Sequence, residues 1–302
     1  MNEQKVHVYT PEDCKAQMLK YFKTGKVKGT TTHNDKLDMA WTWRKQEANI
    51  VTGYANEGKS LLLKQLCMAK AVEDNWKFLF CSPEDYPPEE FFDDMIHTLT
   101  GRTTDIDMPF PVDGISYDKA YELIKNNFIF VYIEPPNNTI KGVLEAFKEI
   151  IATQHIDACI IDPLLKFARP KDMSERDDIY ASYIGSMCVD FCRTNNVAFH
   201  LVMHQLTPTM DMGSKNYMEP SMYRIKGGGS WSDGFDNVLS VWRPDYATDK
   251  FSPRVVFASQ KIKKQKLVGI PQRVEMSFDR KSNRYVDKDT GKPIFNFDKF
   301  MK

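Results

Sequence analysis

The sequence predicts an α/β protein with a mostly parallel, twisted sheet, helices on both of its faces and an antiparallel C-terminal edge. Between residues 48 and 203, short continuous apolar runs alternate with longer segments of helical periodicity. Such runs, separated by helices, are typical of parallel strands that are buried on both faces. After residue 229 the pattern changes to short strands joined by turns, which indicates antiparallel strands added to the same sheet. With no internal repeat or low-complexity linker, we expect one such domain over residues 28–302.

The individual elements follow from the apolar runs and from the signals at their ends. Parallel strands are predicted at residues 48–52, 77–81, 128–133, 158–161 and 197–203, and the later strands at 238–242, 254–259 and 274–278. Helices are predicted at residues 61–70, 88–100, 140–155 and 179–194.

A separate helix is predicted at residues 11–24, before the nucleotide-binding part of the chain. Thr10 is its N-cap, Pro11 takes the first position and Gly25 follows its end. The polar segment that comes next makes this helix detachable. Residues 1–27 therefore either pack on the core or form an arm that lies on a neighbouring subunit.

Composition excludes several classes of protein. The 302 residues are 42% hydrophobic and carry 41 basic and 41 acidic side chains, so the overall charge gives no general signature of polyanion binding. The N-terminus lacks a signal-peptide pattern and no apolar run approaches about 18 residues, so we expect a cytoplasmic protein with no membrane contact. The six cysteines show no paired C-x-x-C spacing, which favours free thiols over a zinc site.

The strongest local signal is the segment Gly53-Tyr54-Ala55-Asn56-Glu57-Gly58-Lys59-Ser60, which matches the pattern G-x-x-x-x-G-K-[ST]. It lies between a predicted strand and a predicted helix, the context that this phosphate-binding motif requires. Its glycines let backbone N–H groups face phosphate oxygens, Lys59 adds a positive charge, and Ser60 provides a ligand for Mg²⁺. The pattern predicts a site for ATP or another nucleoside triphosphate, formed by Gly53, Asn56, Glu57, Gly58, Lys59, Ser60 and Leu61.

Three further strand ends carry polar side chains suited to nucleotide hydrolysis. Asp162 ends an apolar strand in the manner of a Walker B acid, whose carboxylate holds Mg²⁺ directly or through water. Glu84 follows the second strand, where a carboxylate can orient and deprotonate the attacking water. His204 ends a fourth strand, where a side chain bonded to the γ-phosphate can report its loss to the next loop. Ligands of α/β proteins bind at the carboxyl ends of strands, so these groups are expected to share one site.

The order of these motifs resembles the RecA-like hexameric replicative helicases of the DnaB, Twinkle and phage primase-helicase family. The likeness covers about residues 28–285. Its most specific pieces are His200-Leu201-Val202-Met203-His204, Gly227-Gly228-Gly229-Ser230 leading to Asp236-Asn237-Val238-Leu239, and Gln260-Lys261-Ile262-Lys263 followed by Gly269.

This resemblance implies a role for each matching residue. Lys59 and Ser60 bind phosphate and Mg²⁺, Glu84 is the catalytic base, and Asp162 is the Walker B acid. His204 is the phosphate sensor. Lys263 falls where relatives carry an arginine finger, so the finger here is a lysine, which neutralises charge but lacks the planar fork of arginine. Relatives also carry a basic residue after the sensor, where this chain has Leu206.

The resemblance also implies residues around the base and the DNA. Arg243 corresponds to an arginine that stacks on adenine, and Phe278 to an aromatic residue on its other side or, alternatively, to a core phenylalanine. Single-stranded DNA is expected to contact two loops. The residues implied are Lys166 and Arg169 in the first loop, and Lys215, Arg224, Lys226, Gly227, Gly228 and Gly229 in the second. Contacts of this kind are independent of sequence and sensitive to salt.

Together these features imply an ATP-driven DNA helicase or translocase that works as a hexameric ring and moves along single-stranded DNA in the 5′ to 3′ direction. No primase segment is seen before the core, so a primase, polymerase or loader is expected to be a separate protein, and a viral or mobile-element replisome is favoured. Two alternatives stay open. One is a RecA-like or plasmid RepA-type ATPase without processive unwinding, and the other is a nucleotide-gated scaffold or loader that does not hydrolyse ATP.

Overall fold

A computed structural model describes residues 7–170 and 176–301 of the chain. The strands are β1 (Ala48–Gly53), β2 (Phe78–Cys81), β3 (Phe128–Phe130), β4 (Ala158–Ile161), β5 (Ala198–His204), β6 (Asn237–Trp242), β7 (Arg254–Ile262), β8 (Arg273–Asp279) and β9 (Arg284–Asp287). The helices are α1 (Pro11–Thr24), α2 (Asp35–Ala40), α3 (Lys59–Asp74), α4 (Pro88–Thr100), α5 (Gly114–Asn127), α6 (Ile140–Thr153), α7 (Asp177–Asn195), α8 (Ser230–Gly234) and α9 (Gln265–Val268).

Within the described residues the strands form one nine-stranded sheet in the order β3-β2-β4-β5-β1-β6-β7-β8-β9. The pairs from β3 to β6 are parallel, and the pairs from β6 to β9 are antiparallel. The predicted class is therefore confirmed: a mostly parallel sheet whose C-terminal edge is antiparallel. The strand that precedes the phosphate-binding segment, β1, lies between β5 and β6 near the middle of the sheet.

Both faces of the sheet are covered, which explains why the parallel strands are continuously apolar. Side chains alternate between faces along a strand. In β2, Phe78 and Phe80 belong to the cluster formed with α3, α4 and α5, while Leu79 and Cys81 belong to the cluster formed with α6 and α7. Each strand residue thus buries its side chain in one of two cores.

The structure corrects several predicted elements. The strand predicted at 128–133 ends at Phe130, because the next residues lie at the sheet edge and lead into a turn with Pro135 and Pro136, which lack N–H donors. Several elements were not predicted, among them α2, α5 and β9. α5 begins at an Asp113 N-cap that bonds the backbone N–H of Ser116, a local signal that the sequence does contain.

Helix α1 has the bounds that its caps predict. Thr10 and Asp13 form a reciprocal capping box, and the N–H of Gly25 bonds the carbonyl of Tyr21 at the other end. None of its residues is buried, and Phe22 is 87% exposed. The helix therefore forms on its local signals and contributes nothing to the described core. None of the helices in the described ranges is both long and apolar enough to cross a membrane.

Candidate functional site

The parallel register brings the predicted site residues to one edge of the sheet. Gly53 is paired with His204, and Cys81 with Ile161, so the ends of β1, β5, β2 and β4 lie side by side. The segments that carry Lys59, Glu84, Asp162 and His204 all lie at these ends. Arg243 follows the end of β6, which pairs with β1 on its other side.

The phosphate-binding segment is held in shape by close contacts at its two glycines. Both have positive φ angles, 154° at Gly53 and 86° at Gly58. A Cβ on Gly53 would lie 2.3 Å from the carbonyl oxygen of Val241, and one on Gly58 would lie 2.3 Å from the hydroxyl oxygen of Tyr285. That hydroxyl donates to the carbonyl oxygen of Gly58 over 3.0 Å. Only glycine fits either position, and β9 fixes the segment from outside.

Lys59 is the cation of the segment and is almost completely buried. Its ammonium donates to the carbonyl oxygen of Tyr54 over 2.6 Å. Burial lowers the pKa of Lys59, while Asp162, Glu57 and Glu84 raise it. An ammonium in a dry pocket interacts strongly with an anion because little water screens it.

Ser60 and Asp162 form a hydroxyl–carboxylate pair with the chemistry of a Mg²⁺ site. The Asp162 carboxyl is buried at the end of β4, and burial raises its pKa to about 6, while the hydrogen bond from Ser60 lowers it. Mg²⁺ in nucleotide sites is held by one or two protein oxygens together with phosphates. The described residues contain no cluster of three or more acidic, histidine or cysteine ligands, which agrees with a metal held partly by its nucleotide. These two residues therefore fit the implied ion.

Two carboxylates lie in the 3₁₀ turn Pro83–Asp85, and their surroundings differ. Asp85 accepts a hydrogen bond from the Ser82 hydroxyl over 2.7 Å, and its other oxygen lies 3.7 Å from the buried Lys64 ammonium. Glu84 is 41% exposed, and one oxygen lies 3.4 Å from the ammonium of Lys166. Asp85 is thus occupied by the protein, and Glu84 is the carboxylate that can meet a water.

His204 and Gln205 connect the site to the loop that follows β5. Burial is the largest cause lowering the pKa of His204, followed by the charge of Lys59, so the imidazole is neutral at pH 7. The Gln205 amide donates to the Thr52 hydroxyl and to the carbonyl oxygen of Ser221, each over 3.1 Å. The start and the middle of this loop are therefore tied to β1.

Glu57 is an unusual group within the phosphate-binding segment, because its side chain is fully buried. One carboxyl oxygen accepts from the N–H of Tyr54 over 3.4 Å, the N–H of Arg243 also donates to the group, and the other oxygen has no hydrogen-bond partner within the described residues. Burial raises the pKa of Glu57 to about 8. The acid is therefore mostly protonated at neutral pH.

Arg243 and Phe278 lie near the segment, at different depths. The Arg243 guanidinium donates to the carbonyl oxygens of Asn56 and Lys250, over 3.4 and 2.7 Å, and stacks on Tyr246 with 4.4 Å to the ring centroid. Phe278 packs on Tyr285, with ring centroids 5.4 Å apart. Arg243 thus contacts the segment directly, whereas Phe278 reaches it through Tyr285.

The predicted DNA residues fall into two neighbouring loops and do not form one cluster. Arg169 pairs with Asp177 and stacks on Tyr180, while Lys166 faces Glu84. In the second loop, Arg224 donates to Thr209 and Lys215 lies at the tip of a small hairpin. Lys226 is exposed beside Gly227 and Gly228, which have φ angles of 98° and 101°, whereas Gly229 is helical. Together the two loops line a cavity of about 220 Å³ with His204 in its wall.

Lys263 lies at the opposite edge of the sheet from the other candidate catalytic residues. It follows Ile262, which pairs with Asn237 at the start of β6. Its ammonium lies 3.2 Å from the buried Asp236 carboxylate, and its backbone N–H bonds the Asp236 carbonyl. The five steps along β6 to Trp242 span about 16 Å, more than a lysine side chain covers, so Lys263 cannot reach its own Lys59.

Solved structures with the same arrangement are helicase domains. One, reported as the ATPase domain of a helicase, matches with a TM-score of 0.74 and 14% identity over 94% of this chain and 100% of its own. The chain has the fold of a DnaB-type helicase ATPase domain. A second, reported as a DnaB-like replicative helicase and its interactions with primase, gives a TM-score of 0.74 and 13% identity over 92% of this chain and 68% of its own. No family model and no curated protein matches the sequence.

This helicase-type fold contains three positioning residues that the sequence did not reveal. Tyr285 holds Gly58 from 227 positions away in the chain. Gln205 clamps the loop after β5, and Lys64 joins α3 to Asp94 over 3.0 Å and to the Glu84 turn through Asp85. No spacing rule links these residues to their partners, so only the tertiary structure identifies them.

The buried Glu57 carboxyl predicts a pH-dependent stability. Because the pKa is about 8 in the folded protein and near 4.5 when unfolded, stability is greatest below the unfolded pKa and falls as pH rises toward 8. Glu57→Gln should remove this loss, which amounts to about 2 kcal/mol or more between pH 5.5 and 8.5. Urea unfolding at both pH values measures the difference. Glu145→Gln, at an exposed position of α6, is the matched control, and an equal effect of both variants would contradict the prediction.

Proposed function

We propose that this chain is an ATP-driven replicative helicase motor that moves on single-stranded DNA as a ring of about six subunits. The observation that carries the proposal is the meeting of Lys59, the Ser60–Asp162 pair, Glu84 and His204 at one sheet edge. A buried cation, a metal-binding pair, an exposed carboxylate and a neutral imidazole are the groups that nucleoside triphosphate hydrolysis uses.

In the proposed reaction, Glu84 accepts a proton from a water that attacks the γ-phosphorus. The bond between that phosphorus and the bridging oxygen of the diphosphate breaks as the new bond forms. Lys59 stabilises the negative charge on the transferring group, at a place where burial strengthens the interaction. Mg²⁺ held by Ser60 and Asp162 neutralises charge on the phosphates. His204, neutral and hydrogen-bonding, senses the γ-phosphate and passes its loss to the loop after β5.

The ring follows from the position of Lys263. This residue is too far from its own phosphate-binding segment, so it acts as a finger only in the site of a neighbouring subunit. Helix α1 supports the same assembly, because Met18, Leu19 and Phe22 are exposed on a helix that buries nothing in its own subunit. We propose that residues 1–27 form an arm on the neighbour and that residues 28–302 form the motor.

DNA is proposed to bind along the two loops that line the cavity next to His204. The loops supply Lys166, Arg169, Lys215, Arg224 and Lys226, and the backbone of Gly227, Gly228 and Gly229 allows close approach of phosphates. The 5′ to 3′ direction, a bacterial host cytoplasm, and a separate primase, polymerase or loader are part of the same proposal. They rest on the fold, since one solved neighbour is reported with its primase interactions.

The first test is unwinding. With ATP and Mg²⁺, the protein should unwind a fork with a 5′ tail and show a ring-sized mass. Glu84→Gln should bind nucleotide normally but lower turnover about a hundredfold or more, the usual effect of removing a positioned base. Glu90→Gln, at an exposed position of α4, is the matched control. DNA-stimulated hydrolysis without unwinding would support a RecA-like ATPase, and no hydrolysis with a monomeric mass would support a scaffold.

The second test concerns DNA. Lys226→Ala should weaken binding of single-stranded DNA equally for all sequences and flatten the slope of log affinity against log salt by roughly one unit, as expected for one lost phosphate contact. Fluorescence anisotropy at several salt concentrations measures both effects, with Lys148→Ala on α6 as the control. An unchanged slope would remove this loop from the DNA path.

The third test concerns the shared site. Lys263→Ala should abolish DNA-stimulated hydrolysis while leaving folding and nucleotide binding intact. Mixing Lys263→Ala subunits with Glu84→Gln subunits creates some interfaces that hold both residues, so part of the activity should return. If mixed rings form and no activity returns, Lys263 does not act between subunits.

A further inference from the structure

Lys166, expected to be a DNA contact, instead faces the proposed catalytic base. Its ammonium lies 3.4 Å from a Glu84 oxygen, and the two side chains are 48% and 41% exposed. In the described residues, this is the ion pair that Glu84 makes. The contact joins the first DNA loop to the centre of hydrolysis.

The backbone on both sides explains why these residues meet. β2 and β4 are adjacent and in register, with Cys81 beside Ile161, and each strand continues into a single 3₁₀ turn. Glu84 lies in the first turn, and Lys166 ends the second. The Lys166 backbone is also fixed, because its N–H bonds the carbonyl of Pro163 over 3.2 Å and its carbonyl accepts from Asn138 over 3.4 Å. The pair is therefore set by neighbouring strands.

Lys166 is also placed to respond to DNA. The segment from Leu164 to Arg169 and the segment with Lys226 and Gly227 line the same cavity beside His204. The charges of Lys226 and Lys166 both lower the pKa of His204, so the two ammonium groups lie near each other. A phosphate bound by Lys226 therefore approaches Lys166 as well, and offers it an anion other than Glu84.

We propose that Lys166 is a positioning residue that couples DNA to hydrolysis. In the DNA-free protein its ammonium holds the Glu84 carboxylate and competes with the orientation in which Glu84 contacts the attacking water. A DNA phosphate takes the ammonium and releases Glu84 toward the water. An exposed ion pair contributes little energy, so a phosphate at this place can displace it, and the restraint it exerts is correspondingly modest. This inference rests on the proposed function.

The test compares DNA-free and DNA-saturated turnover at saturating ATP and Mg²⁺. Lys166→Ala should raise the DNA-free kcat about two- to fivefold, the range that an exposed ion pair allows, and reduce the stimulation by DNA. Lys166→Arg keeps the charge beside Glu84 and should retain the low DNA-free rate. Lys148→Ala, which removes an exposed lysine from α6, should behave as the unmodified protein. Nucleotide affinity and thermal melting are measured for each variant, and neither should change.

A second readout needs no change at Lys166. Higher salt screens exposed ion pairs, so raising KCl from about 50 to 300 mM should increase the DNA-free kcat of the unmodified protein and have no such effect on Lys166→Ala.

The inference is overturned if the protein is stimulated by DNA but Lys166→Ala leaves the DNA-free kcat unchanged or lowers it. A lower kcat together with weaker nucleotide binding would make Lys166 a phosphate ligand instead. If the unmodified protein hydrolyses no ATP with or without DNA, the proposed function fails first, and the two failures are thereby distinguished.

Discussion

The parallel pairing of β1 between β5 and β6 is the constraint on which the rest of the site depends. Parallel strands that share a register end at one edge, and here those ends carry the phosphate-binding segment, the Walker B acid, the candidate base and the histidine. The same register sends the antiparallel β7 back to the other edge, which separates Lys263 from Lys59. One set of backbone hydrogen bonds thus decides which groups lie together within a subunit and which must belong to its neighbour.

The chemistry at this edge is obtained at a cost in stability. Lys59, Asp162 and Glu57 are all at least 95% buried, and burial disfavours the charged form of each. A core built for stability alone would place apolar groups here. Buried ionisable groups with shifted pKa values are a common property of functional sites, because weak screening strengthens their interaction with a charged ligand. The surrounding apolar clusters on both faces of the sheet supply the stability that such a site requires.

The fold is shared with helicase ATPase domains at 13 and 14% identity, so few side chains are needed to maintain it. What the sheet requires is apolar character on both faces and glycine at the points of close approach. Gly53 and Gly58 illustrate the second requirement, since a Cβ at either position would overlap Val241 or Tyr285. Most other positions accept any residue of suitable size and polarity, which leaves loops such as the one after β4 free to acquire their own contacts.

The sequence by itself determined the class of the fold and the residues nearest the phosphates. Apolar runs and end signals are local, so β1, α3, α4 and β4 could be placed with nearly the bounds observed, and the spacing within Gly53–Ser60 identified the loop. The tertiary structure decided what depends on contacts between distant segments. Tyr285 on Gly58, Lys166 on Glu84, the burial of Glu57, and the position of Lys263 at the far edge each join residues that no periodicity relates. Short-range backbone preferences act over a few residues, whereas these contacts depend on strand order and register, which only the assembled sheet fixes.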